Sequence, residues 1–520
     1  MLTVYLNTLF DPKVIYDQHA GRFVVVALER QDVTNGDPAD TSRILLAVSD
    51  DSDPNGTWFF HAINSKTNLG GLDRWADYPG FSVDEEAVYI ANNMFAFGLG
   101  GFGFGGSLLW IVDKGLGSGG FYDGGATGVA VYNAYAATGQ SGVATTTQPA
   151  HVFGAGGIPG VGNPGTFLVG YSGLSNGVQE FLSIIRVDDP LGAAGGPVFS
   201  HQFVNVGNIE NTAVPMPDAP QAGTAALVET NDRRALHAVW RDDSLWTTAQ
   251  VVPALGVDAG QTTAHWWELD TSTLVPIGVV QQGDVGGEDI AAGTYTFFPS
   301  IAVDGSGNMG IGFAASAGTI FPSAAYTGRL SSEPLGTVQP TEIFAAGQDF
   351  YIRTFGGSSN RWGDYSGIAI DPTDDMTFCA FNEYALPRGT PTNPPLEDGR
   401  WGTRWGCFTF ADTDSDGVFD NQDNCTLVPN GPLILDVGGN SQLDTNGDGY
   451  GNICDGDLDG DLAVGFSDLS LFGNVFQTTD PDADFDGDGT VGFSDLTIFG
   501  DSFLQPPGPS CVDLPGGCAP

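Results

Sequence analysis

Basic residues are scarce in this 520-residue chain. Its 17 Lys and Arg stand against 63 Asp and Glu, a net charge of −46, which makes nucleic acids and anionic membranes poor partners. Histidine is rare and scattered: His19, His61, His151, His201, His237 and His265 occur singly, as packed or solvated residues do. The six cysteines include no CxxC pair, which argues against a structural zinc site. No HExxH or P-loop is present, so the commonest zincin and nucleotide signatures are missing. No apolar run approaches the roughly 18 residues that cross a bilayer, so a soluble chain is expected.

One acidic residue dominates the end of the chain. Ala411 to Pro520 holds 21 Asp and no Lys, Arg or Glu, and most of these Asp recur at every second position. A solvated acidic run would mix Glu with Asp and keep no register. Alternate carboxylates at positions 1, 3 and 5 of a tight loop converge on one point, a carbonyl at 7 joins them, and a carboxylate at 12 closes the site. Four segments fit. The first is Asp412, Asp414, Asp416, Val418, Asp420 and Asp423; the second is Asp444, Asn446, Asp448, Tyr450, Asn452 and Asp455. The third is Asp457, Asp459, Asp461, Ala463 and Asp468; the fourth is Asp484, Asp486, Asp488, Thr490 and Asp495. All ligands are oxygen and the loops are Gly-rich, which suits Ca²⁺ better than Mg²⁺. Without ions such a segment should repel itself and unfold.

The third and fourth loops belong to a repeat of 27 residues sharing VGFSDL. Beyond each loop Phe466, Leu469, Phe472 and Phe476, then Phe493, Leu496, Phe499 and Phe503, recur at helical spacing, so two short helices should pack together to hide their Phe stripes. Residues 456–504 resemble a type I dockerin, an EF-hand-like pair. The resemblance implies a cohesin-like partner on a scaffold or surface protein, met near the helix starts at Phe466, Ser467, Phe493 and Ser494. Two departures stand out: Leu462 replaces the Gly of position 6, and position 9 is Gly465 or Gly492 where dockerins carry Asn. Residues 411–455, with DTDSDGVFDNQDNC and DTNGDGYGNICD, resemble thrombospondin type 3 repeats, which implies a calcium-stabilised, loop-rich stalk. A tail with a Cys pair, 505–520, completes the chain.

The cysteines fall into near neighbours, Cys379 with Cys407, Cys425 with Cys454, and Cys511 with Cys518, which suggests disulfides without proving the pairing. Disulfides together with calcium modules argue for a secreted, extracellular protein. The start, MLTVYLNTLF, has no basic residue and no small-residue cleavage site, so it does not read as a signal peptide; a mature or truncated chain is expected.

Residues 1–410 are Gly-rich and aromatic, with short alternating runs every dozen residues, the pattern of an all-β domain. RWADYPGFSVDEEAVYIANN (Arg74 to Asn93) and RWGDYSGIAIDPTDDMTFCAFNE (Arg361 to Glu383) share a motif, with weaker copies from Asp11 and from Phe298. A repeated hairpin with an Asp-led turn predicts a β-propeller of six or seven blades, its N-terminal strand pairing with the last one near Phe408. The turn SDPNGTW (Ser52 to Trp58) is similar to the Asp-box of sialidase-like propellers. Glycine-rich GLGGFGFGGS (Gly98 to Ser107) reads as a flexible loop.

The sialidase resemblance implies three Arg, a Tyr activated by Glu, and an acidic Asp. Arg22, Arg74, Arg241, Arg353, Arg361 and Arg404 are available, but the Arg-Ile-Pro signature is absent. Asp77 with Tyr78 and Asp364 with Tyr365 occupy the same place in two copies, which favours scaffolding over catalysis, with Arg74 and Arg361 bonding the adjacent Asp. Catalytic residues are therefore unassigned. Trp240, Trp246, Trp266, Trp267, Trp362, Trp401 and Trp405 could stack on sugars, though blade packing should consume all but two. The expected function is attachment: a dockerin-like tail anchoring a propeller that recognises polysaccharide or protein in polysaccharide catabolism. The alternatives are a glycoside hydrolase and a structural adhesin, and the enzyme question leans to no.

Overall fold

Alternating apolar runs become strands with one face turned inward. In Arg22–Gln31, Val24, Val26 and Leu28 are fully buried, because successive side chains leave a strand on opposite faces. The computed structural model describes residues 8–518 apart from 32–38, 99–102, 155–164, 193–194, 274, 276, 392–396, 411, 415, 421 and 514–517.

The chain divides into two units. The first holds Met1–Val303, Met309–Pro372 and Ala380–Trp405; the second holds Asp304–Asn308, Thr373–Cys379 and Gly406–Pro520. The strands form six sheets of three to five members, which makes the fold mainly β and the propeller six-bladed. Blade one comprises Thr8–Asp17, Arg22–Gln31, Thr41–Ser49 and Trp58–Asn64. The remaining blades begin at Thr67, Thr147, His151, Tyr295 and Gly367. Within the blades hairpins follow chain order, with one exception: His151–Val152, between the first two strands of blade three in the chain, pairs in parallel with Ala235–Arg241 of blade four. Cores form where sheets face each other: Val26, Ile44 and Leu46 pack with Phe81, Ile90 and Trp110 of blade two.

The inner strands lie against one another in succession: Thr8–Asp17, Leu72–Val83, Thr147–Pro149, Ala235–Arg241, Tyr295–Val303 and Gly367–Ile370. Asp11, Tyr78 and Phe298 sit at equivalent bulges in three of them, with φ of 50°, 50° and 52°. Each precedes a proline, which has no N–H to give the ladder. Six residues on, Asp17, Asp84 and Asp304 accept backbone N–H groups across the following turn. The acidic turn chemistry of the repeat is thus present.

Two expectations need correction. Among the described residues Thr8–Asp17 pairs only with Arg22–Gln31, and Arg400–Phe408 ends a separate three-stranded sheet. The first strand is committed to its own hairpin by a register that keeps Val24, Val26 and Leu28 inward, so the expected swap at Phe408 is not found there. The supposed loop from Gly98 also ends early: Phe104–Asp113 is a strand, because Ser107 to Val112 is an apolar run that pairs with Ala87–Asn93. The residues 99–102 lie outside those described.

In the second unit, helices Phe466–Val475 and Phe493–Ser502 follow the third and fourth acidic loops. Cys379–Cys407, Cys425–Cys454 and Cys511–Cys518 are disulfides. Among the described residues no helix is long and apolar enough to cross a membrane.

Candidate functional site

Residues distant in sequence meet where the inner strands converge. Asp11 and Lys13 come from blade one, and Asp77 and Tyr78 from blade two. Asn231, Asp232 and Arg234 precede the strand Ala235–Arg241 of blade four, and Arg361, Asp364 and Tyr365 lead into blade six. Four blades can supply one cluster only near the propeller axis. The bulges aim the first of these side chains: Tyr78 N–H donates to Asp11 Oδ2 at 3.2 Å. A left-handed φ at a non-Gly residue is strain of the kind held at functional sites.

Two tyrosines form the centre. The Tyr78 and Tyr365 rings meet edge to face at 5.8 Å, and Lys13 Nζ lies 4.9 and 4.4 Å from their centroids. Arg234 stands over Tyr78 at 5.0 Å. Arg361 grips both oxygens of Asp364 at 2.6 Å, and Asn231 Nδ2 donates to Asp364 Oδ1 at 3.0 Å. Glu383 of blade six lies against the bare Cα of Gly363. Tyr78 is buried, and its hydroxyl has no hydrogen-bond partner among the described residues. Arg361 keeps 55% of its side chain exposed, so the cluster opens to solvent.

Burial sets the protonation chemistry. It pushes Asp77 up to about 6, helped by the charges of Asp11 and Asp364, and Glu383 up to about 7, helped by Asp364. Burial also brings Lys13 down to about 8, with Arg234 adding to it against the pull of Asp11. Both tyrosine hydroxyls are pushed up by burial, and carboxylates push them further. A phenolate is therefore disfavoured, whereas two carboxyl groups change protonation near neutrality, the property general acid and base groups need.

Of the arginines the sequence offered, only Arg361 joins this cluster. Arg361 does bond Asp364, but Arg74 turns away from Asp77 and bonds the carbonyls of Leu69 and Gly103. Lys13, Arg234, Asp11 and Glu383 were not singled out from sequence; the Xaa-Pro dipeptides at Asp11, Tyr78 and Phe298 were the available signal. In the Ser52–Trp58 turn, Asp50 accepts Thr57 N–H at 3.0 Å and Trp58 Nε1 donates to the Pro54 carbonyl. Five of the seven tryptophans are buried, and Trp401 and Trp405 are exposed.

The acidic loops share one geometry. The position-6 N–H of Gly417, Gly449, Leu462 and Gly489 donates to Asp412, Asp444, Asp457 and Asp484 respectively. Val418, Tyr450, Ala463 and Thr490 each donate to the position-5 carboxylate. Three oxygen groups gather within 4.8 Å: Asp412 with Asp414 and Asp416, Asp457 with Asp459 and Asp468, and Asp484 with Asp486 and Asp488. Asp414 Oδ2, Asp423 Oδ2 and Asp484 Oδ1 are buried without a hydrogen-bond partner among the described residues. Such acceptors suit a hard cation, so these loops could hold a metal ion. Burial and neighbouring carboxylates raise Asp414 to about 6, and burial above all raises Asp455 to about 7. Asp420 and Asn452 accept the N–H of Thr413 and Thr445 within their loops. In the second loop Asn446 Nδ2 donates to Asp448 and Asp455.

Asp468 and Asp495 accept N–H groups from Asp459 and Asp486 and from the N-cap residues Gly465 and Gly492, tying each loop to its helix. Phe472 stacks on Phe485 and Phe499 at 5.8 and 5.7 Å. Phe466 meets Phe503 and Phe493 meets Phe476, each at 5.2 Å, so the two loop-helix units are exchanged by a local pseudo-two-fold. The stripes are not fully hidden: Phe466 and Phe493 are both 74% exposed. Each stands in the first helical turn, where one edge-on ring covers it only partly.

The strand order defines a six-bladed β-propeller with an open axial cluster, and the chain also carries an acidic-loop unit. No protein-family model and no curated protein matches the chain. Among solved structures it is similar to the NanB sialidase of Streptococcus pneumoniae, at 10% identity, TM-score 0.40, covering 73% of this chain and 66% of that one. A Trypanosoma rangeli sialidase gives 11% identity and TM-score 0.34, over 73% of this chain and 52% of that one. A glycosyl hydrolase from Bacteroides ovatus gives 10% and 0.31, over 64% and 87%. The chain thus spans about half the length of the Trypanosoma rangeli protein, and the blade count stands on the strand order itself.

Proposed function

We propose that this is an exported, calcium-binding modular protein whose propeller engages a polysaccharide at its axial cluster and whose tail docks on a cohesin-like domain. The carrying observation is the doubled unit: two acidic loops, each feeding a helix that leaves one Phe exposed to the same extent. Residues 411–455 act as a calcium-filled stalk, and 456–504 as the docking module. Local disulfides accord with export to an oxidising space.

The test is calorimetric titration of Ca²⁺ into the chelator-treated full chain, followed by far-ultraviolet circular dichroism and capture on a panel of cohesin domains. Three or more ions with a gain of helix support the reading. No ion uptake overturns it.

A second reading is hydrolysis of glycosidic bonds at the axis. Asp77 and Glu383 favour it, being carboxyl groups poised near neutrality beside Lys13, Arg234 and Arg361. In such a reaction one carboxylic acid protonates the leaving oxygen and a carboxylate activates water or attacks directly.

A further inference from the structure

Blade four carries a further group of carboxylates, on residues that belong neither to the axial cluster nor to the acidic loops. Asp258 precedes the strand Thr263–Asp270, and Gly286 and Glu288 follow Gly278–Val285. These two strands pair with Ala264 opposite Val285, which brings both segments to the same end of one hairpin. Three carboxylate oxygens converge there over the bare face of Gly286. A Cβ at that position would stand 2.8 and 2.9 Å from the two oxygens of Asp258 and 3.0 Å from Glu288 Oε2.

Among the described residues no cation acts on Asp258. Burial first, then a side-chain hydrogen bond with Glu288 and the charges of Glu288 and Asp284, raise the Asp258 pKa to about 7. Asp258 is only 9% exposed. Its Oδ1 is buried with no hydrogen-bond partner among the described residues, and so is Glu288 Oε2. Asp284 itself accepts from or pairs with His265 Nδ1 at 2.6 Å. Desolvated like charges with unused acceptor oxygens are costly unless something cationic joins them.

We propose that Asp258 and Glu288, with Asp284 at the rim, hold a divalent hard cation at this end of blade four. The oxygen donors and the pliant Gly286-Gly287 turn match calcium, whose ligand number and geometry are flexible. The ion would tie the segment before Thr263 to the segment after Val285, two connections that no ladder bond joins directly. Asp258 and Glu288 are separate from every acidic loop of the tail.

The experiment compares wild type with Asp258→Asn in the full chain, using Ca²⁺ as the probe at pH 7.5. The expected result is one ion fewer by calorimetry in the variant, with the calcium-induced rise in propeller melting temperature reduced. A tail control, Asp486→Asn, should lose an ion without reducing that rise. Equal stoichiometry in wild type and Asp258→Asn overturns the proposal and leaves the pair sharing a proton. Should Asp258→Asn not fold, Glu288→Gln carries the same comparison with the same two outcomes.

Discussion

Leu462 adopts φ of 65° where the other three loops place Gly at 93° to 96°. Its side chain is 63% exposed, so it gives little packing in return for a left-handed backbone. Leu462→Gly should relieve about 1 kcal/mol of strain, a factor of roughly five in affinity. Calcium titration should show the tightening confined to the third loop; unchanged affinity would mean that the loop tolerates Leu without cost. At the axis the signs run the other way from ordinary carboxylates. Asp77 and Glu383 are raised to about 6 and 7 from 3.8 and 4.5, so the folded state binds these protons more tightly than the unfolded chain. Their contribution to stability is full below about pH 4 and is lost as pH rises through 6 and 7. Asp77→Asn and Glu383→Gln should flatten the melting temperature between pH 5 and 8. If the axis hydrolyses glycosides, the same variants lose that activity; an unaltered pH slope would remove the protonation argument.

At the scale of elements, the helices of the tail depend on a few rings. Val464, Phe472, Ala483, Phe485, Val491 and Phe499 make up the buried cluster, with Leu458, Val475, Phe476, Ile498 and Phe503 partly buried against it. Phe472→Ala should cost about 3–5 kcal/mol, most of what so small a core supplies. Dichroism of the calcium-loaded chain should report loss of helix, and retention of helix would show that the ions alone hold the loops and helices. The same elements were the easiest to read from sequence, because a 27-residue repeat with Phe at helical spacing states both the period and the partner. The inner strands were harder. Their repeat was visible in Asp-Tyr and in the Asp-led turn, but the meaning of Asp11-Pro12, Tyr78-Pro79 and Phe298-Pro299 depends on a bulge, which no periodicity records. Arg234 and Glu383 were invisible for a related reason: they join the site by tertiary convergence, not by spacing.

For the whole molecule, alternation and length pointed to a propeller, and six sheets fixed the number within the expected six or seven. Among the described residues the first strand stays in its own hairpin, and residues 1–7, ahead of that strand, lie outside them. Charge was the most informative global quantity. Of the net −46, −21 falls on residues 411–520, which hold no Lys or Arg, so the folded tail is expected to depend on divalent ions. The pairing of cysteines was open from sequence, and the three local disulfides now close the near-neighbour reading.

The matched exposure of Phe466 and Phe493 has a consequence for orientation. A receptor that grips one helix start finds the same ring, the same Ser and the same capping Asp after a half-turn of the module. Two poses of equal energy add a statistical factor of two, about 0.4 kcal/mol. If the proposed docking holds, one anchoring point would accept the module in two orientations related by that half-turn.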